Sequence, residues 1–232
     1  MAVAPDKRES ELTVGEKLND FMQKNRKIII IGFSAIVLVL AVYAIGSLVR
    51  DKIQANTFTR LDELVQRYDE LNVYIGSDDP ESITRQIEII VLLEDLAAFG
   101  SRSSGFPAAR AYALRAEILW EMQNLADAEQ SWLSAARFAG QSYFAPISFF
   151  NAAVAAEEQG NIETAISHYR SALAFGDLFP GAARAQFSIA RLLESQDNKV
   201  AAVEAYRVLL NNWPDDPVWP DLAQSRVIIL SE

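Results

Sequence analysis

A run of 22 residues without a charged side chain stands out near the start of the chain. The run covers residues 28–49, and basic residues flank it on both sides. A helix of this length measures about 33 Å, which is enough to cross the hydrocarbon core of a bilayer. The pattern therefore predicts a single transmembrane helix at residues 28–49, preceded by a short, mostly disordered tail at residues 1–27, with one or two helical turns near the membrane as an alternative for part of it.

Two other interpretations of residues 28–49 stay open. The run also fits a buried core helix, or a cleaved signal peptide with a small-residue site ending at Gly46. Signal peptides have apolar cores of about 7–15 residues, so the length of the run favours an uncleaved anchor. Basic residues are denser before the run than after it, which favours a cytoplasmic tail and an external C-terminal domain.

The next part of the chain, residues 50–106, predicts a helical pair that precedes the main pattern. Residues 53–74 and residues 80–99 each place apolar side chains at helical spacing. Residues 76–80 carry the turn signals between the two helices. Residues 100–107 contain Gly, Ser and Pro and predict a loop. A degenerate first repeat is an alternative description of this pair.

One pattern then occurs three times, at a constant offset of 37 residues. Each copy predicts two helices, with one small residue on the first helix and another on the second. Small residues at matching positions allow two helix backbones to approach closely, and an aromatic ring fills the space beyond them. The matching positions are Ala116, Ala153 and Ala190, then Ala128, Ala165 and Ala202, then Trp132, Tyr169 and Tyr206.

These positions resemble the motif of the tetratricopeptide repeat family. The middle copy resembles it most, with Phe149, Ala153, Gly160, Ala165, Tyr169 and Ala172. The family's unit is about 34 residues, so the 37-residue offset implies longer connections between units. Arg115 in the first copy and Leu209 in the third depart from the family's pattern. An ordinary helical bundle with alanine-rich contacts is the alternative.

The resemblance implies an all-α fold, in which a single transmembrane helix is followed by a tetratricopeptide-like solenoid of helical hairpins. The repeats are expected at residues 109–142, 146–179 and 183–216, within a domain that covers residues 107–232. Residues 221–230 predict a terminal helix that covers the exposed end of the stack, as repeat arrays require.

Composition narrows the classes of function. The formal net charge of −10 at pH 7 argues against nucleic acid as a partner. The chain has no Cys and a single His, His168, so neither a thiolate metal site nor a histidine cluster is expected. No nucleophile lies at a recognisable spacing from a base, and no glycine cluster indicates a phosphate site. We therefore expect no enzyme activity, no cofactor and no metal ion.

The resemblance also implies where a partner binds, because family members hold partner peptides on the face of their first helices. This face is predicted to be apolar at its centre and charged at its ends. A carboxylate clamp is incomplete, because Ala113 and Glu117 stand at its Lys and Asn positions, so an apolar or amphipathic segment is expected. Alternatively, the chain's own helices cover the apolar positions. The expected binding residues are Arg110, Trp120, Ile147, Phe150, Val154, Arg184, Phe187 and Arg191.

The order of tail, single span, helical pair and repeats resembles a bacterial inner-membrane family that accompanies the Sec translocon and binds periplasmic chaperones. This resemblance implies a membrane-anchored interaction scaffold with lipid around residues 28–49, protein partners at the repeats, and the repeat domain in the periplasm. An envelope-assembly or cell-division scaffold is one alternative. A helical array with a small-molecule site, in a receptor or an enzyme, is a second alternative.

Overall fold

The computed structural model describes residues 14–75 and 80–231, and every regular element within them is a helix. The predicted all-α fold with helical hairpins is confirmed. Two compact units divide the chain, Met1–Asn56 and Thr57–Glu232, and the boundary between them falls within the second helix. The α-helices are α1 (Val14–Lys24), α2 (Arg26–Leu71), α3 (Pro80–Arg102), α4 (Gly105–Glu121), α5 (Leu125–Ala139), α6 (Phe144–Glu158), α7 (Ile162–Leu173), α8 (Ala182–Ser195), α9 (Lys199–Asn212) and α10 (Trp219–Ser231), with short 3-10 turns at Asn72–Tyr74 and Gly176–Leu178.

The N-terminal unit contains α1 and the first part of α2. Within the described residues, α2 is the one helix long and apolar enough to cross a membrane. Its apolar side chains are exposed, for example Ile28 at 70% and Leu48 at 69%. This exposure contradicts the interpretation of residues 28–49 as a buried core helix, whereas a membrane anchor and a signal sequence both fit it.

Part of the tail is helical, as the alternative of helical turns near the membrane describes. α1 places Leu18, Phe21 and Met22 on one face at helical spacing, and all three side chains are exposed. Lys24 lies in the last turn of α1, where a positive charge complements the helix dipole. Residues 1–13 lie outside the described part of the chain.

The C-terminal unit begins with a helical pair, formed by the last part of α2 and by α3, whose buried faces pack on α4. Arg67 and Asp95 join the two helices of the pair through an ion pair of 2.5 Å. Of the turn signals at residues 76–80, residues 76–79 lie outside the described residues, and Pro80 is the first residue of α3. The buried cluster consists of Leu61, Leu64, Leu71, Ile89, Leu92, Leu96, Ala111, Leu114 and Ile118.

The loop predicted at residues 100–107 is wrong, because residues 103–104 alone separate α3 from α4. Gly100 serves close packing inside a helix and does not make a turn. A Cβ atom at Gly100 would lie 2.7 Å from the ring of Tyr112. Pro107 lies in the first turn of α4, where its missing N–H removes no helical hydrogen bond.

Three helical hairpins follow, α4–α5, α6–α7 and α8–α9, and each helix packs on the next one. The turn inside each hairpin has the same backbone. Gln123, Gly160 and Asp197 are left-handed, with φ of 61°, 76° and 57°. An Asn follows each of them, so the 37-residue offset is also a repeat of turn geometry. The carbonyls of Asn124, Asn161 and Asn198 accept the N–H groups of Ala128, Ala165 and Ala202.

The repeated alanines lie in the interior of the stack, and all six are 0% exposed. The rings at the third repeated position are also buried, with Tyr169 and Tyr206 at 1% and Trp132 at 7%. α10 packs on α9 and α8 after the last hairpin. The limits proposed for the domains and repeats stay a prediction.

Candidate partner-binding cleft

Four of the eight predicted binding residues line one cleft of about 320 Å³ in the C-terminal unit. Trp120 comes from α4, Phe150 and Val154 from α6, and Arg184 from α8. The other lining residues were not among the eight, and one of them comes from α2. They are Tyr68, Glu117, Glu121, Trp132 and Asn151. These nine residues are called the cleft below.

Three of the remaining predicted residues lie outside the cleft. Arg110 on α4 donates a hydrogen bond to Glu117 at 3.2 Å, so it neutralises a carboxylate of the lining. Ile147 is half-buried on α6. Arg191 on α8 binds Glu157 on α6 and is therefore committed to an internal ion pair.

Phe187, the fourth, is covered by the chain itself. Its ring lies 5.4 Å from the ring of Tyr206 and 5.1 Å from that of Trp219, between ring centroids. Trp219 is the first residue of α10, so the terminal helix covers this position. The alternative that the chain's own helices cover the apolar face therefore describes Phe187. A binding role for each of the eight residues stays a prediction.

Phe150 forms a largely buried wall of the cleft, with 9% of its surface exposed. Its ring centroid lies 5.3 Å from that of Tyr169 and 6.0 Å from that of Phe179. The guanidinium of Arg184 lies 4.9 Å from the same ring, which is within cation–π distance. Phe150 therefore supports the cleft from the core and helps to hold Arg184 in place.

The second junction, between hairpins α6–α7 and α8–α9, is closed by a polar triad. The Tyr169 hydroxyl donates to the Glu157 carboxylate at 3.1 Å, and Arg191 from the next hairpin binds the same carboxylate. Burial, and then the Glu157 charge, raise the pKa of the Tyr169 phenol well above its usual range. We call this Arg–Glu–Tyr arrangement a latch, because it ties two neighbouring hairpins together.

The cap junction, between hairpin α8–α9 and α10, carries a second latch. Tyr206 donates to Glu194 at 3.0 Å, and the Arg226 Nε donates to Glu194 at 3.2 Å. The hydrogen bond from Arg226 lowers the pKa of Glu194 below its usual value. Burial raises the pKa of Tyr206 to about 12. Glu194 and Tyr206 stand 37 residues after the Glu157 and Tyr169 of the second junction.

The first junction, between hairpins α4–α5 and α6–α7, has no latch at the same positions. Counting back 37 residues from Glu157, Tyr169 and Arg191 gives Trp120, Trp132 and Val154. All three line the cleft. The cleft therefore lies where the repeated polar triad has been replaced by two indoles and an aliphatic side chain.

The polar groups of the cleft differ in how far they are already satisfied. Burial, and then the neighbouring Glu117 carboxylate, raise the pKa of Tyr68. Within the described part of the chain, no carboxylate pairs with Arg184 and no group hydrogen-bonds to the Asn151 amide. A cation and an amide are thus free to contact a bound molecule.

The chemistry of the lining is suited to binding. The described ranges, 14–75 and 80–231, contain no group of three His, Cys, Asp or Glu side chains that is arranged to hold a metal ion. His168 lies away from the cleft and contacts Glu129 at 3.0 Å, where the Gln159 amide also binds at 2.9 Å. Aromatic walls with a few polar groups are typical of recognition sites.

Two comparisons with known proteins agree with the hairpins. Residues 150–217 match the family model of the tetratricopeptide repeat. A "TPR repeat-containing protein" of Treponema pallidum (strain Nichols) is 34% identical over 143 residues. The match covers 62% of this chain and 59% of that protein, so the chain spans less than two-thirds of this curated relative. The chain is therefore similar to tetratricopeptide repeat proteins, and its second and third hairpins carry the match to the repeat.

Proposed function

We propose that this protein is a membrane-anchored scaffold that binds a segment of another protein in its cleft. The cleft is the observation that carries the proposal, because it presents two indoles and Val154 between neighbouring hairpins. Proteins of the tetratricopeptide repeat type mediate protein–protein interactions in general, and Trp and Arg are enriched at the centres of interfaces. Binding at this site supplies the function without any catalytic group.

The anchor of the proposed scaffold is α2. Its charge-free stretch at residues 28–49 exposes its apolar side chains, which is the pattern of a helix surrounded by lipid. Basic residues are denser before this stretch than after it, which supports a cytoplasmic tail and a repeat unit outside the inner membrane.

A finer assignment follows from the order of the elements. A short tail, one span, a helical pair and tetratricopeptide-like repeats resemble the inner-membrane family that accompanies the Sec translocon. We therefore propose translocon subunits and periplasmic chaperones as partners of the cleft. A scaffold for envelope assembly or cell division has the same architecture and is distinguished from this role by the partner that binds.

Site-specific photo-cross-linking in intact cells tests the scaffold. A photoreactive amino acid replaces Asn151 in the cleft or, as a control, Val200 on α9, which is 85% exposed and outside the cleft. We expect discrete protein adducts at position 151 that are missing at position 200. Membranes are then washed with alkaline carbonate, and the protein should stay in the pellet with its tail attached.

The identity of the adducts and the form of the protein decide between the alternatives. Translocon subunits or periplasmic chaperones at position 151 support the finer assignment, and envelope-assembly or division proteins support the other scaffold. The same adducts at both positions would show that binding is not at the cleft. A soluble protein that begins near Ser47 would show that residues 28–49 are a cleaved signal peptide.

A further inference from the structure

The size of the cleft sets what it can hold. Its volume of about 320 Å³ is at the lower end of the range of roughly 300–1,000 Å³ that small-ligand sites occupy. A whole helix is about 10–12 Å wide with its side chains, so the cleft cannot enclose one. It is suited to one or two side chains and the backbone between them.

The walls indicate that the central side chain is apolar. Trp120, Trp132 and Phe150 present rings, and Val154 presents an aliphatic surface. Aromatic pairs in offset or edge-to-face contact are more favourable than their buried area alone suggests. At the three latch positions of this junction, the side chains are apolar or indole rings and form no Arg–Glu–Tyr triad between the walls. A Phe or Leu side chain therefore complements the centre of the cleft.

The charges indicate what flanks that side chain. Arg184 has no carboxylate partner within the described residues, and Asn151 offers an unpaired amide beside it in the lining. Glu117 is already neutralised by Arg110, but Glu121 is exposed and has no ion pair in the described chain. The complement is a carboxylate directed at Arg184 and a basic group directed at Glu121.

An internal segment fits these charges better than the end of a chain. A C-terminal segment brings its terminal carboxylate but no cation beyond it, while the lining also carries the Glu121 carboxylate, which has no ion pair within the described residues. An internal segment places residues on both sides of the apolar anchor. The backbone amides of such a segment are also available to the Asn151 side chain.

We propose that the cleft recognises an internal peptide segment of a partner protein in which one Phe or Leu is flanked by an acidic and a basic residue. This inference rests on the proposed scaffold function and specifies its ligand. Arg184 selects the acidic residue, the two indoles hold the apolar anchor, and Glu121 selects the basic residue.

Fluorescence anisotropy with a labelled peptide tests the inference on the full-length protein in nanodiscs. The probe is an N-acetylated, C-amidated peptide with a central Glu-Phe-Lys in a Gly-Ser context. We expect saturable binding that becomes about 30-fold weaker when Phe is replaced by Ser, as for removal of a central anchor. Arg184→Glu should weaken binding of this probe about tenfold. Binding to the Arg184→Glu variant should be restored when the Glu of the probe is replaced by Lys, which gives a Lys-Phe-Lys probe. Arg207→Glu, at an exposed position on α9, is the matched control and should bind like the unmodified protein.

A triple variant that introduces the latch at the first junction, called the graft, provides a second test. Trp120→Glu, Trp132→Tyr and Val154→Arg together place the residues of the second junction at the first junction. We expect the graft to lose at least tenfold in affinity for the probe while the unfolding temperature stays the same or rises. If the graft fails to fold, the charge swap at exposed Arg184 still decides the question.

The outcomes separate this inference from the scaffold function. Binding that requires a free C-terminal carboxylate, or that ignores Arg184→Glu, overturns the internal acidic segment. Stabilisation of the protein by a small metabolite that displaces the probe overturns the peptide ligand. If the probes fail but position 151 still cross-links to a protein, the scaffold stands and this ligand is wrong. If both fail, both proposals are wrong.

Discussion

The first and second junctions share one backbone plan but are closed in different ways. Both have a buried alanine on each helix and the same left-handed turn inside each hairpin. At the second junction, Arg191 and Tyr169 converge on Glu157. At the first junction, the matching positions present Trp120 and Trp132 to a cleft. The fold is thus maintained by positions that do not differ between the junctions.

The difference teaches where a repeat array can change without loss of its fold. Stability in such arrays comes from each unit and from its contacts with neighbouring units. The alanines and turns set the distance between helices, whereas Glu157 and Arg191 of the latch are only partly buried, although the Tyr169 ring is buried. Replacing a latch by apolar residues therefore exchanges one local contact for a binding surface.

The buried clusters show the same contrast. One continuous cluster runs through the second and third hairpins to Ala223 on α10. The cluster at the first junction is much smaller and consists of Ala113, Ala116, Trp132, Ala135 and Ala152. The helical pair before it has a cluster of its own. The cleft therefore lies where the buried core of the C-terminal unit is divided.

The largest expected effect tests whether the two junctions share their helix contacts. Ala153→Leu and Ala116→Leu each add a large side chain where the native residue is 0% exposed. Each should lower the free energy of unfolding by about 1–3 kcal/mol through overpacking. The measurement is denaturant unfolding of the full-length protein in detergent. If Ala116→Leu alone left the free energy of unfolding unchanged, the helices at the first junction would be loosely packed. The two junctions would then differ in helix packing as well as in the latch.

A smaller effect is expected when the latch of the second junction is removed. Glu157→Leu leaves the Tyr169 hydroxyl and Arg191 without their shared acceptor, which should cost about 1–2 kcal/mol of unfolding free energy. Glu158→Leu, at the exposed neighbour on α6, is the control. Thermal unfolding of both variants measures the difference. Equal stability of the two variants would show that the latch contributes nothing to the stability of the fold. The absence of a latch from the first junction would then cost no stability.

The smallest effect concerns pH and the cap junction. Because Arg226 lowers the pKa of Glu194 below its ordinary 4.5, the Glu194 contribution to stability is present above pH 4.5. The contribution is lost as the pH falls through the lower folded-state pKa. Its size should stay below about 1 kcal/mol, since solvent screens the 38% exposed Arg226. When the pH is lowered from 6 to about 3, the melting temperature should therefore fall more steeply for the natural protein than for Glu194→Gln. Parallel curves of melting temperature against pH would contradict the lowered pKa of Glu194.

Much of the repeat fold was accessible from the sequence, because the signals that fix it recur. The alanines and rings at the 37-residue offset predicted the hairpins. The turn at Gln123 was harder to recognise, since Gln carries no preference for a left-handed backbone, yet Asn124 repeats as Asn161 and Asn198. The loop at residues 100–107 was wrong because Gly100 signals a turn locally, while its role is contact with a distant ring.

The cleft was accessible only in part. Trp120 and Phe150 were predicted from their place on the first helices of the hairpins. Trp132 lies on a second helix, where the pattern indicated a core ring, and Tyr68 comes from a helix outside the repeats. Phe187 was expected beside Phe150 because the two share a repeat position, but Trp219 covers it. The 37-residue offset alone does not show which copy of a repeated position the terminal helix covers.

The four tryptophans of the protein form two separate pairs of natural fluorophores. Trp120 and Trp132 line the cleft, while Trp213 and Trp219 pack on the buried cluster that includes α10. Light emitted by the first pair depends on what occupies the cleft, and light emitted by the second depends on whether the terminal helix is docked. A molecule that enters the cleft and a disturbance that loosens the cap thus leave different spectral signatures in the unlabelled protein.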